Sequence, residues 1–87
     1  MRYLVEIYLP SSPDALADAA GRVAAAVEDL VGEGLPIRYL QAISVPTDET
    51  CFLLFDARSA HDAATATARA GVAFERVVET ICDQGGA

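Results

Sequence analysis

The chain has no lysine. Its six basic residues are all arginine and stand against 13 aspartates and glutamates, for a formal net charge of −7 over 87 residues. Without lysine there is no Schiff-base nucleophile and no phosphate-loop lysine. The acidic balance argues against a nucleic-acid partner, which needs a basic face to meet phosphates. Histidine occurs once and cysteine twice, too few for a disulfide scaffold in a chain of this size. No stretch approaches the roughly 18–20 unbroken apolar residues of a membrane span: Glu6, Asp14, Asp18, Arg22 and Glu28 interrupt the N-terminal half. The opening Met1-Arg2-Tyr3-Leu4-Val5-Glu6 has neither the apolar region nor the cleavage site of a signal peptide, so the expected setting is the cytoplasm, where both thiols stay reduced. Short phosphate-binding and nucleophile motifs are missing too, with no glycine-rich loop, no G-x-S-x-G and no C-x-x-C or H-E-x-x-H spacing.

What is present is apolar and small. Alanine fills 17 of the 46 hydrophobic positions, leaving 29 larger apolar side chains, which suffices for one core and predicts a single domain over residues 1–87. The alanine-rich, arginine-only composition resembles the output of a GC-rich bacterial genome.

Residues 2–9 alternate Tyr3/Val5/Ile7/Leu9 against Leu4/Glu6/Tyr8 and predict a strand, closed by Pro10. Ser12-Pro13-Asp14 reads as an N-cap, a proline at the first helical position and a first-turn acid. Leu16, Ala20, Val23, Val27 and Leu30 then form one helical stripe, with Gly32, Gly34 and Pro36 as stop signals. A second strand is expected over 37–45, its faces Ile37/Tyr39/Gln41/Ile43/Val45 and Arg38/Leu40/Ala42/Ser44. Pro46 to Glu49 make a turn, and Cys51 to Phe55 a third strand apolar on both faces. Ser59-Ala60-His61-Asp62 has capping-box spacing and opens a second helix of small residues that ends near Gly71. A fourth strand is expected over Glu75 to Cys82, before a polar tail.

The order β-α-β-β-α-β predicts a ferredoxin-like α+β sandwich, a four-stranded antiparallel sheet with two helices on one face. The other face is left bare. Leu4, Glu6 and Tyr8, neighbours such as Tyr39, Gln41 and Ile43, and apolar residues of the third strand make it too hydrophobic for water. A face-to-face homodimer, the dimeric α/β-barrel arrangement, would bury it and leave a lined cavity between the sheets.

Glu6 stands out as a carboxylate in mid-strand, which must be solvated, paired or functional. It either pairs with an arginine, Arg38 or Arg76, or faces the cavity as a base, an acceptor or a metal ligand. Glu6, Tyr8, Tyr39, Gln41 and Phe52 are the candidate ligand-binding residues; catalytic and metal-ligating residues are not assigned. His61 fits a solvated helix surface, and Asp62 fits backbone capping. Asp48-Glu49 fits a solvated acidic turn. Cys51 and Cys82 fall at opposite ends of the sheet, too far apart for a disulfide or a shared metal. Any metal site would therefore be carboxylate-rich or built across a dimer.

Several segments taken together resemble a family. They are Arg2-Tyr3-Leu4-Val5-Glu6 with Leu9-Pro10, Ile37-Arg38-Tyr39-Leu40-Gln41, Pro46 through Phe52, and Arg69-Ala70-Gly71 leading to Phe74-Glu75-Arg76-Val77-Val78-Glu79. They are similar to a family of small bacterial domains of unknown function, some of them described as nickel-binding proteins. The resemblance spans nearly the whole chain and implies a ferredoxin-like homodimer, with nickel as a possible cofactor. Three functions stay open: a domain holding a divalent metal or small ligand between the sheets; a cofactor-independent isomerase, cyclase or monooxygenase with Glu6 as base and Tyr8 or Tyr39 orienting the substrate; and a structural interaction module.

Overall fold

A computed structural model describes residues 1–81. Cys82 and the polar tail, and with them the expected separation of the two cysteines, lie outside the described residues. The elements follow the expected order: β1 (Arg2–Tyr8), α1 (Pro13–Gly32), β2 (Arg38–Val45), a 3-10 turn (Pro46–Asp48), β3 (Thr50–Asp56), α2 (Ala60–Arg69) and β4 (Arg76–Thr80). The strands form one sheet in the order β2-β3-β1-β4, and every neighbouring pair is antiparallel. This is the ferredoxin-like α+β arrangement. β4 is shorter than its sequence pattern suggests, because pairing with β1 stops where β1 begins, at Arg2 opposite Thr80. Ile81, beyond the last partner, is almost fully exposed.

The helices begin and end where the local chemistry directs. The Ser12 hydroxyl accepts from the Ala15 N–H, and the Ser59 hydroxyl from the Asp62 N–H, each satisfying one free donor of a first turn. Both helices finish in the same way, with glycine in the left-handed region: Gly34 at φ 97° and Gly71 at φ 74°. Beyond them the Leu35 and Val72 N–H groups reach back to the Leu30 and Thr67 carbonyls. These are paired Schellman closures, which need a residue tolerant of positive φ. The two C-terminal ends are tied by Arg69, whose guanidinium meets the Glu33 carboxylate at 2.8 and 3.3 Å. The hydrogen bond and charge of Arg69 hold the Glu33 carboxyl below its ordinary range.

Tyr3, Val5 and Ile7 of β1 and Cys51, Leu53 and Phe55 of β3 point toward the helices. There they pack with Ala19, Val23, Val27 and Leu30 of α1 and Ala63 and Ala66 of α2. Alanine on α2 leaves no long side chain between that helix and the strands. The Thr67 hydroxyl, fully buried, bonds the Ala63 carbonyl one turn back, so its donor is not left unpaired in the core.

The second strand departs from simple alternation. A bulge lies between Tyr39 and Gln41: Tyr39 pairs with Phe55, yet Gln41 already pairs with Leu54. The extra residue, Leu40, flips the parity of everything before it. Ile37 and Tyr39 therefore belong to the helix-covered side, and Gln41, Ile43 and Val45 of the expected face lie on the open side.

The core geometry carries a direct test. Ile7 is 1% exposed, so Ile7→Val should lower the unfolding free energy by about 1 kcal/mol, read as a lower urea midpoint at unchanged slope.

Candidate functional site

The strand registers arrange the open face in rows that run across the sheet. Gln41, Leu54, Leu4 and Val78 form one row; Ile43, Phe52, Glu6 and Arg76 form the next. Toward one end of the strands come Val45, Thr50 and Tyr8, and toward the other Arg38, Asp56, Arg2 and Thr80. The centre is apolar: Leu54 is buried, Leu4, Phe52 and Val78 are half-buried, and Ile43 is 42% exposed. None of the described elements lies over it.

Four of the five candidate ligand-binding residues share this face. Glu6 sits directly beside Phe52, Tyr8 lies one pleat further along β1, and Gln41 lies in the adjoining row beside Leu54. Tyr39 does not join them. The bulge turns it under the helices, where its ring meets Phe55 at a centroid distance of 5.8 Å and a tilt of 49°. Burial raises the ionisation range of its phenol, with the neighbouring Cys51 adding to the rise. A tyrosine in that position is a packing residue.

Glu6 has a partner. Arg76, its cross-strand neighbour on β4, donates from Nε to Oε1 at 2.7 Å. Of the two arginines compatible with the sequence, the register selects Arg76. The Glu6 side chain is 26% exposed and that of Arg76 67%, so the pair is open to solvent from the arginine side. Pairs this exposed contribute at most about 1 kcal/mol to stability. Their larger effect is to fix where the carboxylate points.

Tyr8 is also tethered. Its hydroxyl donates to Glu49 Oε2 at 3.0 Å. Glu49 closes the turn between β2 and β3 in the left-handed region, at φ 49°. The hydrogen bond to this carboxylate, then its negative charge, push the Tyr8 phenol above its ordinary range. This contact was hidden in the sequence, since 41 positions separate the two residues. The register of β1 on β3, Tyr8 opposite Thr50, is what brings them together.

The remaining candidates stay apart. His61 is exposed on the first turn of α2, on the side of the sheet opposite the open face. Cys51 is fully buried beneath the helices, and burial raises its thiol. The Asp62 carboxylate accepts not from the backbone but from Arg58 Nε, at 2.9 Å. Only half of the expected capping box forms, because an arginine four residues earlier competes for the acid. The i,i+4 spacing of Arg58 and Asp62 was the sequence signal for that pair. Among the described residues, no three His, Cys, Asp or Glu side chains converge on a point where a metal ion could sit. Nor is any described helix long and apolar enough to cross a membrane.

No protein-family model and no curated protein matches the chain. Its backbone is similar to that of SCO4226 from Streptomyces coelicolor A3(2), known from a crystal structure. The TM-score is 0.76 over 95% of this chain and 99% of that one, at 19% sequence identity. At that identity the likeness concerns the fold.

The Tyr8–Glu49 bond sets an alkaline limit. A phenol whose ionisation is raised on folding contributes its stabilisation fully below the ordinary tyrosine value of about 10, and loses it as pH rises through the folded value. Glu49→Gln removes the negative acceptor. The Tyr8 ring signal, followed by NMR across an alkaline titration, should then move at lower pH than in the unaltered chain.

Proposed function

We propose that this chain is a small binding domain that works as a homodimer, two copies meeting through their open sheet faces and holding a small ligand between them. The observation that carries this reading is the composition of the open face. Its centre is Leu4, Phe52, Leu54, Val78 and the exposed Ile43, with Glu6 the one carboxylate among them. Exposed apolar surface rimmed by polar groups marks an interaction site.

Charge favours a second copy as the occupant. The chain is strongly acidic, and two copies approaching at random would repel. The open face does not share that excess. Its outward-facing strand positions carry Arg2, Arg38 and Arg76 against Glu6 and Asp56. Glu49 borders the face through its bond to Tyr8, whereas the four acids of α1 lie on the other side of the sheet. Pairing through it keeps those acids apart, and a twofold arrangement buries both faces in one event.

In such a dimer Glu6, Tyr8, Gln41 and Phe52 would line the space between the sheets. Glu6 and Gln41 supply acceptor and donor groups, and Phe52 supplies a flat apolar wall. That combination suits a small, partly apolar molecule with a hydrogen-bond donor for Glu6. Nickel, the ion implied by the family resemblance, is fitted less well. His61 and Cys51 lie on the helix side, and the open face of one chain offers a single central carboxylate. A nickel site there would have to draw donors from both copies. An enzymatic role for Glu6 as base would require substrate to approach its second oxygen, because Oε1 is engaged by Arg76.

Light scattering tests the dimer: twice the monomer mass is expected for the unaltered chain, and Ile43→Glu should give the monomer with an unchanged circular dichroism spectrum. A monomer in the unaltered chain would overturn the reading. Calorimetric titration with Ni²⁺, together with metal analysis, tests the ion: sub-millimolar binding would support a metal site, and no heat with no bound metal would overturn it.

A further inference from the structure

One end of the molecule runs against the overall charge. Asp56, at the end of β3, lies between two arginines in the sheet, Arg2 on β1 and Arg38 on β2. The N-terminal ammonium also bonds its carboxylate at 3.1 Å. That bond comes first, and with the charges of Arg2 and Arg38 it holds the Asp56 carboxyl below its ordinary range. The Asp56 carboxylate, which lies between these cations, is thus already compensated. Arg58 follows two residues later. Among the described residues, neither Arg2 nor Arg38 has an ion-pair partner within 4.0 Å.

Arg58 is held differently from a free surface arginine. Its Nε–H is committed to Asp62 at 2.9 Å, and the Asp62 side chain is only 11% exposed whereas that of Arg58 is 60% exposed. A guanidinium presents five N–H donors in a rigid plane. Fixing Nε against a well-buried carboxylate therefore sets the plane and leaves the outer nitrogens without partners among the described residues. Between Arg58 and Arg38 opens a hollow of about 360 Å³, walled on its apolar side by Pro36, Ile37 and Ala57 and lined also by Met1 and by Asp56, the carboxylate that the N-terminal ammonium engages.

We propose that this hollow is an oxyanion-binding site that takes a small carboxylate or phosphate group, Arg58 supplying a positioned fork, Arg38 a second cation, and the apolar wall receiving the rest of the ligand. Planar bidentate recognition of oxyanions is what a pre-oriented guanidinium does best. Asp62 acts as a positioning residue: it holds Arg58 from behind and does not line the hollow. The hollow is built from residues of one chain, with Arg38 and Asp56 standing at the end of the same open face that the proposed dimer would use.

The test is an NMR titration at constant ionic strength, with inorganic phosphate in one arm and benzoate in the other. Saturable shifts centred on the amides of Arg38, Ala57 and Arg58 are expected in at least one arm, and the arm that saturates at the lower concentration identifies the anion class. Arg58→Gln should weaken binding by about tenfold, the loss of a charge-assisted bidentate contact, whereas Arg69→Gln at the other end of α2 should leave it unchanged. Asp62→Ala is the discriminating variant. It removes a negative charge, so diffuse attraction predicts tighter binding, whereas a fork held by Asp62 predicts weaker binding. Tighter binding in Asp62→Ala overturns the proposal. So do shifts that never saturate, or that chloride reproduces at equal ionic strength.

Discussion

The structure depends on one asymmetry: both helices pack on the same face of a four-stranded sheet. That follows from β1, one of the two strands with a partner on each side. Its inward residues, Tyr3, Val5 and Ile7, are all buried under helices, and its outward residues, Leu4, Glu6 and Tyr8, are not. A strand with period 2 cannot satisfy two helical layers and water at once. Here one layer is supplied by α1 and α2, and the outward set is apolar enough to need cover yet carries one carboxylate. The core, the closures of both helices and the arrangement of the site all follow from which side of β1 the helices occupy.

The helix side is closed by local devices that repeat. Each helix starts with a serine cap and ends in a glycine-centred Schellman closure, and each closure sends an apolar residue, Leu35 or Val72, back against the core. Two helices of different length, 20 and 10 residues, are thereby brought to a common end and joined by Arg69 and Glu33. The open side has no comparable devices. Its order comes from cross-strand neighbours alone: Glu6 with Arg76, and Tyr8 with Glu49 through the turn. These bonds fix polar groups around an apolar centre and leave the centre itself uncovered.

Much of this was readable from residue order. The alternation in β1, the Ser12-Pro13 start, Gly34 and Gly71, and the double-faced apolar run of β3 each encode their structure locally, because one residue type suits one backbone state. Tyr39 shows where that logic stops. Its sequence neighbours alternate without a break, and the bulge that turns it inward arises from pairing with Phe55 on another strand. A single inserted position is invisible to a period-2 pattern until the partner strand fixes the register. The same holds for Glu6, where two arginines were possible and only the alignment of β4 on β1 chooses between them. Site residues set by local pattern were legible, whereas partners set by register were not.

Charge is distributed unevenly over the fold. An acidic chain with six arginines could scatter them evenly as neutralising partners, and Arg22 and Arg69 serve that purpose on the helices. The other four are placed on or beside the sheet. Arg76 goes to the one carboxylate at the centre of the open face, and Arg2, Arg38 and Arg58 collect at the end where β2 starts and β3 finishes. Three cations gathered at one end would repel one another, and here Asp56, Asp62 and the acids elsewhere on the chain lower that cost over distances near the Debye length of about 8–10 Å. Net negative charge and a local basic end are therefore compatible, and the first makes the second less costly to maintain. An anion drawn to this end meets an orienting guanidinium and not merely a positive potential, because Asp62 is buried behind Arg58.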